Sequence, residues 1–226
     1  MAARKTGLWF VFFAALFASC GAPFYYERAQ IDEGFSVAVG TGAGTGERIS
    51  GSRGGIGMAY PVFDAYAAGI GSLALRYAPN ERSAVFLQAD GGFGRWLTHR
   101  AGDSSVMVTG AVQFGAKLRT GSHGAIRLAL GAPSLADIVY LHDLTDFLSL
   151  NAGLGFRGVG LGIGLHPRIS ERLLGHVTLN GVRGISYRYR SGMSGDVGPF
   201  YSSVALGFGL EVVPARPPVH GTRSKQ

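Results

Sequence analysis

Large apolar residues occupy every second position along most of this chain. The last such run reads Val-Ala-Leu-Gly-Phe-Gly-Leu-Glu-Val over residues 204–212, with small or polar residues between the large ones. Successive side chains of a β-strand point to opposite sides, so a period of two predicts strands that have one apolar face. Polar turn sequences separate the runs. The pattern therefore predicts an all-β chain.

The same alternation recurs often enough to close a sheet on itself. Counting strands that run alternately up and down gives roughly ten, within a range of about eight to twelve. The number of strands is given as a range because it is ambiguous whether residues 54–63 form a strand. Pro61 disfavours a central strand there. The other alternating runs cover residues 35–40, 72–77, 85–93, 106–118, 126–130, 148–156, 159–165 and 176–180.

The second face of these strands distinguishes a membrane barrel from a soluble sandwich. A sandwich would present Lys, Glu and Thr to water on that face. Here the face carries mainly Gly, Ala, Ser, Asn and Gln, which suits a narrow lumen, while the apolar face suits lipid. We therefore predict an antiparallel up-and-down transmembrane β-barrel. The polar lumen residues are predicted to be Arg76, Gln88, Asp90, Gln113, Lys117, Arg127, Asn151, His176, Asn180 and Glu211.

The lumen charges are of mixed sign, and this bears on whether the barrel is open. The predicted lumen contains three basic residues, Arg76, Lys117 and Arg127, and two acidic residues, Asp90 and Glu211. Such a set favours a salt-bridged plug that fills the lumen. A narrow path for water or small solutes is the alternative.

Composition and charge exclude several other classes of protein. The 226 residues include 37 Gly, which disfavours a helical protein, and only 15% are charged, which disfavours disorder. The formal net charge is +7, but Arg4 and Lys5 and a C-terminal basic cluster contribute to it. Since no basic face with interleaved aromatics appears, we expect no nucleic-acid partner. Anionic lipid or lipopolysaccharide is the expected partner.

The N-terminus has the features of an export signal. Arg4 and Lys5 precede the short apolar segment 7–17, and Phe17-Ala18-Ser19-Cys20 places small residues before the only cysteine. The apolar segment is too short to span a bilayer. The region resembles a bacterial lipoprotein signal, which implies acylation of Cys20. It departs from that pattern in having Phe17 where Leu is usual.

These features divide the chain into four parts. We predict a signal peptide at 1–19, a lipid-anchored linker at 20–33, a β-barrel at 34–213 and a disordered basic tail at 214–226. Turn sequences near residues 79–82, 120–124, 142–146 and 166–171 are predicted to share the periplasmic side. Longer linkers are predicted to be extracellular, at 44–66, 95–104 and 184–199.

Candidate catalytic and cofactor motifs are weak. The glycines of 153–158 have dinucleotide-binding spacing, but another strand follows them where a helix is required. The histidines lack metal-ligand spacing, so we expect no metal and no cofactor. A hydrolase would need a serine beside a histidine. Ser149 and Asn151 share one face, but His142 lies in a turn, so no enzymatic activity is expected.

In general pattern, the chain resembles small bacterial outer-membrane β-barrel proteins that carry a lipoprotein-type signal. The resemblance implies an outer-membrane location and the outer-membrane assembly machinery as a partner. The chain departs from many such proteins because its last strand ends at Val213 and not on a C-terminal aromatic residue. The expected role is non-enzymatic: structural, surface-interacting or a narrow pore. The alternative is a periplasm-facing lipoprotein whose soluble β-barrel encloses lipid or another apolar ligand.

Overall fold

The chain forms a closed antiparallel β-barrel, which confirms the predicted fold class. The computed structural model describes residues 27–53, 59–97, 106–132, 135–155, 158–183 and 200–214. The predicted signal peptide, Cys20 and residues 215–226 of the predicted tail lie outside the described residues. The strands are β1 (Gly34–Arg53), β2 (Ala59–Asn80), β3 (Ser83–Trp96), β4 (Val106–Arg119), β5 (Gly124–Ala132), β6 (Leu135–Asp143), β7 (Leu148–Gly155), β8 (Gly158–Leu165), β9 (Arg168–Ser170), β10 (Leu173–Arg183) and β11 (Phe200–Val212).

The wall closes because the last strand pairs with the first. β11 pairs antiparallel with β1 from Val37↔Val212 to Ile49↔Phe200, and also with β10. The three residues of β9 pair only with the start of β10, so ten of the described strands form the wall. Closure removes the free strand edges that an open sheet would expose.

Side-chain oxygen atoms organise two of the turns that connect neighbouring strands. The Asn80 side-chain oxygen accepts hydrogen bonds from the backbone N–H groups of Arg82 (2.9 Å) and Ser83 (3.0 Å). Thr145 Oγ1 likewise accepts a hydrogen bond from the N–H of Leu148 at 3.0 Å. Asn, Asp and Thr stabilise turns in this way. These turns lie at the end of the barrel where β1 begins and β11 ends, which we call the short-turn end.

The first two strands extend further than the sequence pattern predicted. Residues 44–66 were predicted to be a linker, but β1 runs to Arg53 and β2 begins at Ala59. The two strands have 20 and 22 residues, whereas β7 and β8 have eight each. A transmembrane β-strand needs only about 9–11 residues. The β1–β2 pair therefore extends beyond the wall, on the side opposite the short-turn end.

Large apolar side chains cover the outside of the barrel. Their exposed fractions range from 39% for Leu150 to 73% for Phe93. The inward positions instead hold small residues such as Ala38, Ala74 and Ala129, which are almost completely buried. A continuous apolar surface of this kind marks contact with a membrane or a partner. No helix in the described part of the chain is long and apolar enough to cross a membrane.

The apolar outer face predicts that a charged residue introduced there lowers the stability of the barrel in lipid. Phe114 lies midway along β4, is 56% exposed and is flanked by Leu87 and Leu130 on neighbouring strands. We expect Phe114→Arg to lower the free energy of unfolding in lipid vesicles by about 2–4 kcal/mol, because the cation would enter hydrocarbon. Glu81→Arg, in an exposed turn, is the control. Equal urea midpoints for the two variants would contradict a lipid-facing wall.

Candidate functional site

Alternation along each strand brings polar side chains together inside the barrel. All ten residues predicted to face the lumen are buried or partly buried; Arg76 and Asp90 are the partly buried ones. They form several contacts with one another. Arg127 Nη2 donates to the side-chain oxygens of Gln88 (3.1 Å) and Gln113 (3.3 Å), and Gln88 donates to Asp90 at 3.0 Å. Asn151 donates to Asn180 at 3.2 Å.

The centre of this network is Glu27, which the sequence analysis did not identify. Its carboxylate lies 3.1 Å from Arg127 Nε, 3.6 Å from Arg76 Nη2 and 3.8 Å from Lys117 Nζ. Arg127 is completely buried, and its guanidinium also lies 4.0 Å from the centre of the Phe86 ring. One carboxylate therefore compensates part of the charge of three cations that come from β2, β4 and β5.

Residues 27–32, which we call the plug segment, occupy the lumen at the short-turn end. Lys117 Nζ donates to the carbonyl oxygens of Arg28 (2.8 Å) and Gln30 (3.1 Å). The Asp143 carboxylate accepts the backbone N–H groups of Ala29 (2.7 Å) and Gln30 (2.9 Å). The sequence analysis treated these residues as part of a linker. The barrel instead satisfies their backbone polar groups, as any buried segment requires.

The electrostatics of the plug segment follow from its burial. Burial by itself raises the pKa of the Glu27 carboxyl group, but the charges of Arg76, Arg127 and Lys117 outweigh it and hold the pKa at about 2. Glu27 is therefore ionised at neutral pH. Removing one partner from a buried set of charges is costly because the other charges lose their compensation.

A second network lies beside the first and consists of a chain of four buried side chains. Ser149 Oγ lies 2.7 Å from His166 Nε2, and His166 Nδ1 lies 2.7 Å from His176 Nδ1. His176 Nε2 lies 3.1 Å from Glu211 Oε2. We call this set of residues 149, 166, 176 and 211 the relay. Arg76 joins it to the Glu27 network, because its Nη1 lies 2.6 Å from Glu211 Oε1.

The relay corrects the sequence analysis on one point. His142 was the histidine considered as a partner for Ser149. In the structure, His142 lies 3.4 Å from the hydroxyl of Tyr140, and His166 contacts the serine instead. His166 lies between β8 and β9, in one of the turns predicted from the sequence. It is 2% exposed, because its side chain folds back into the lumen.

Glycine in β8 makes room for the relay and for the pair formed by Asn151 and Asn180. A Cβ atom on Gly164 would lie 2.5 Å from His166 Nε2 and 3.1 Å from Ser149 Oγ. A Cβ atom on Gly162 would collide with the side chains of Asn151 and Asn180. These contacts are shorter than van der Waals distance. The alternating glycines of β8 therefore let side chains from β7 and β10 meet across it.

The described residues contain no group of three or more His, Cys, Asp and Glu side chains placed to hold a metal ion. The two carboxylates near the centre, Glu27 and Glu211, are instead paired with Arg76.

No family model matches the chain, and no curated protein matches its sequence. Solved outer-membrane barrels are similar to it at low scores. An outer-membrane channel from Pseudomonas putida F1 has 12% identity and a TM-score of 0.43, covering 85% of this chain and 99% of that one. The outer-membrane protein AlkL, solved in lipid bilayers, has 12% identity and a TM-score of 0.44, covering 87% and 97%. At these scores the likeness carries no argument, so the fold rests on the strand pairings.

The Glu27 network predicts a large loss of stability when the carboxylate is neutralised. We expect Glu27→Gln to reduce the free energy of unfolding by about 3–5 kcal/mol, because three buried cations lose their shared counter-ion. Glu33→Gln removes a nearby exposed carboxylate and should change stability by less than about 0.5 kcal/mol. Urea unfolding in detergent micelles measures both. Similar losses in the two variants would show that Glu27 is not buried among cations.

The two networks also predict how stability depends on pH. Burial first, and then the neighbouring His176 ring and the charges of Arg28 and Lys117, lower the pKa of His166 to about 3 against an opposing effect of Glu211. Both His166 and Glu27 therefore bind protons more weakly in the folded chain than in the unfolded one. Stability is then complete above about pH 6.5 and falls as the pH drops through the range 6.5 to 2.

Urea unfolding at a series of pH values tests this prediction. The midpoint should decline steadily below about pH 6.5, and His166→Gln should flatten the upper part of the decline. A midpoint that rises between pH 6.5 and 4.5 would contradict the assignment of a neutral buried His166.

Proposed function

We propose that this chain is an outer-membrane β-barrel with a narrow pore that is closed in its resting state. The observation that supports the closed state best is the insertion of the plug segment into the lumen, where Glu27 meets three cations from the wall. Ions can pass only if these contacts and those of Asp143 open. The pore is therefore gated by a segment of the same chain.

The distribution of apolar side chains supports a membrane location over a soluble one. A soluble lipid carrier would enclose its large apolar residues and expose polar ones. Here Leu87, Phe114 and Leu206 lie outside, whereas Gln88, Gln113 and Arg127 are buried inside. An outer surface of large apolar side chains is stable in contact with hydrocarbon, whereas its exposure to water is unfavourable. The partners we propose are outer-membrane lipid or lipopolysaccharide around the wall and the outer-membrane assembly machinery.

We propose that Cys20 is acylated and anchors the chain on the leaflet next to the short-turn end. Glu27 lies inside that end and is seven positions after Cys20 in sequence. Seven residues span at most about 25 Å. The anchor and the plug segment are thereby tied to the same side of the membrane, which in our proposal is the periplasmic side.

Mass spectrometry of the protein purified from membranes tests the anchor. We expect the mature chain to begin at Cys20 with a mass increment of acyl chains, and Cys20→Ser to lack that increment while still forming the barrel. A mature N-terminus elsewhere, without added lipid, would contradict the anchor but leave the barrel in place.

Conductance in planar bilayers tests the closed pore. The wild-type protein should be almost silent, because the plug segment fills one end of the lumen. Asp143→Ala removes the carboxylate that holds two backbone N–H groups of the plug segment, so this variant should open more often or to larger currents. Asp146→Ala changes an exposed carboxylate in the same turn and is the matched control.

Two outcomes would contradict the closed pore. One is a large, steady conductance of the wild-type protein. The other is silence of both Asp143→Ala and the double variant Glu27→Gln/Asp143→Ala, provided that both fold and insert. In that case the lumen would be sealed by the wall side chains alone.

A further inference from the structure

We infer that Ser149 is the nucleophile, and His166 the general base, of a site inside the lumen that hydrolyses short-chain carboxylic esters. This activity goes beyond the proposed pore. It rests on the geometry of the relay, in which the serine hydroxyl lies 2.7 Å from an imidazole nitrogen and a second imidazole and a carboxylate continue the chain. A serine beside a base that is itself oriented by further groups is the arrangement that activates a nucleophile.

The three contacts of the relay fit a set of hydrogen bonds that runs in one direction, from Ser149 to Glu211. Glu211 can only accept, because its other oxygen is paired with Arg76 Nη1 at 2.6 Å and also accepts the Ser36 hydroxyl at 2.7 Å. His176 Nε2 must therefore carry a proton and donate to Glu211. When that is the only proton on the His176 ring, Nδ1 of His176 accepts from His166 Nδ1–H. His166 Nε2 is then unprotonated and accepts the proton of Ser149.

This direction is the one that catalysis requires. A base must be unprotonated at the nitrogen that faces the nucleophile, and its ring must be held in that tautomer by a group on the other side. His176 and Glu211 supply that support here as positioning residues. Glu211 is fixed by Arg76 and Ser36, so a positive charge that develops on His166 meets an ordered chain ending in an anion.

Unused hydrogen-bonding groups lie on the same wall of the lumen. Thr178 and Gly164 pair in register across β10 and β8, and Gly164 pairs with Ser149 across β8 and β7. Thr178 Oγ1 and Asn180 Nδ2 are buried, and neither has a hydrogen-bond partner among the described residues. A substrate carbonyl oxygen near Ser149 would satisfy such groups and be stabilised by them as it gains charge.

An apolar patch completes the site and indicates the size of the acyl group. Ile70 and Ala205 form a buried cluster with Val182 packed against it. These residues lie further along β2, β11 and β10, away from the short-turn end. In our proposal a short acyl chain lies against this patch. Ser149 is only 1% exposed and is closed off from the surrounding bilayer. The substrate class is therefore a small ester that reaches the lumen from the side opposite the plug segment.

The reaction is balanced within the relay, the ester and water. Ser149 Oγ forms a bond to the carbonyl carbon while its proton passes to His166 Nε2. The ester C–O bond then breaks, and the leaving alcohol takes that proton. Water next attacks the acyl-serine, gives one proton to His166 and releases the carboxylic acid as the proton returns to Ser149 Oγ. The net change is ester plus water to acid plus alcohol, and no oxidant or cofactor is needed.

Labelling of the full chain in detergent micelles tests the site with two small probes. Phenylmethanesulfonyl fluoride reports the nucleophile by intact mass and peptide mapping, and p-nitrophenyl acetate reports turnover. We expect the wild-type protein to be sulfonylated at Ser149 and to hydrolyse the ester. Ser149→Ala should abolish both, and His166→Gln should slow both by about 100-fold or more.

The matched control is Ser72→Ala, which removes another buried lumen serine, whose hydroxyl has no hydrogen-bond partner among the described residues. It should label and turn over like the wild-type protein. Because the plug segment could restrict the probes, Asp143→Ala is tested in parallel. Folding of every variant is checked by the different gel mobility of heated and unheated samples.

The results separate a catalytic relay from a structural one. Labelling that stays at Ser149 and depends on His166 supports the inference. If neither the wild-type protein nor Asp143→Ala is modified at Ser149, the inference is overturned, and the relay only stabilises the barrel. Ester hydrolysis that persists in Ser149→Ala would also overturn it.

Discussion

The ion cluster around Glu27 is the constraint on which the interior of this barrel depends. Arg76, Lys117 and Arg127 come from three strands and point into one small lumen, where their charges repel one another and have lost most of their water. A buried cation is tolerated only when it is paired. Glu27 supplies that pairing from outside the wall, so the plug segment and the barrel stabilise each other. Glu211 completes the pairing at Arg76 and thereby links the cluster to the relay.

Space in the lumen is provided by residues without bulky side chains. The chain has 37 Gly, and in β8 they leave gaps that the side chains of Asn151, Asn180 and His166 fill. In a soluble sandwich such glycines would weaken the sheet without benefit. Here they allow polar side chains from neighbouring strands to meet above β8. Because the inward positions hold mainly small or polar residues, most of the large apolar side chains lie on the outer face.

The sequence predicted the barrel and the faces of its strands because both follow from a strict period of two. Gln88 and Arg127, for example, were assigned to the lumen from alternation alone, and both are buried there. The role of Glu27 could not be predicted in this way, because it precedes the first strand and belongs to no periodic pattern. The contact between Ser149 and His166 depends on a turn that folds back into the barrel. Its only signal in the sequence was a histidine at the end of a glycine-rich strand.

The lengths of β1 and β2 were underestimated for a related reason. Residues 44–53 are rich in Gly and Ser and have a single large apolar residue, Ile49, and in residues 59–66 Pro61 and Asp64 interrupt the pattern, so the alternation is weak. They pair nevertheless, from Gly44↔Ala68 to Arg53↔Ala59, because backbone hydrogen bonds need no apolar face. Outside the apolar band of the wall, strands lack the alternation by which strands are predicted.

The chemical reactivity of a cysteine introduced into the plug segment tests most directly whether this segment lies inside the lumen. Ala29 is 1% exposed, whereas Ser122 lies in an exposed turn at the same end of the barrel. In a Cys20→Ser background, Ala29→Cys and Ser122→Cys would be treated with a hydrophilic maleimide in detergent, before and after heating. We expect Ala29→Cys to react at least about tenfold more slowly than Ser122→Cys until heating unfolds the barrel. Equal rates in the folded barrel would show that the segment lies outside the lumen and would contradict the account.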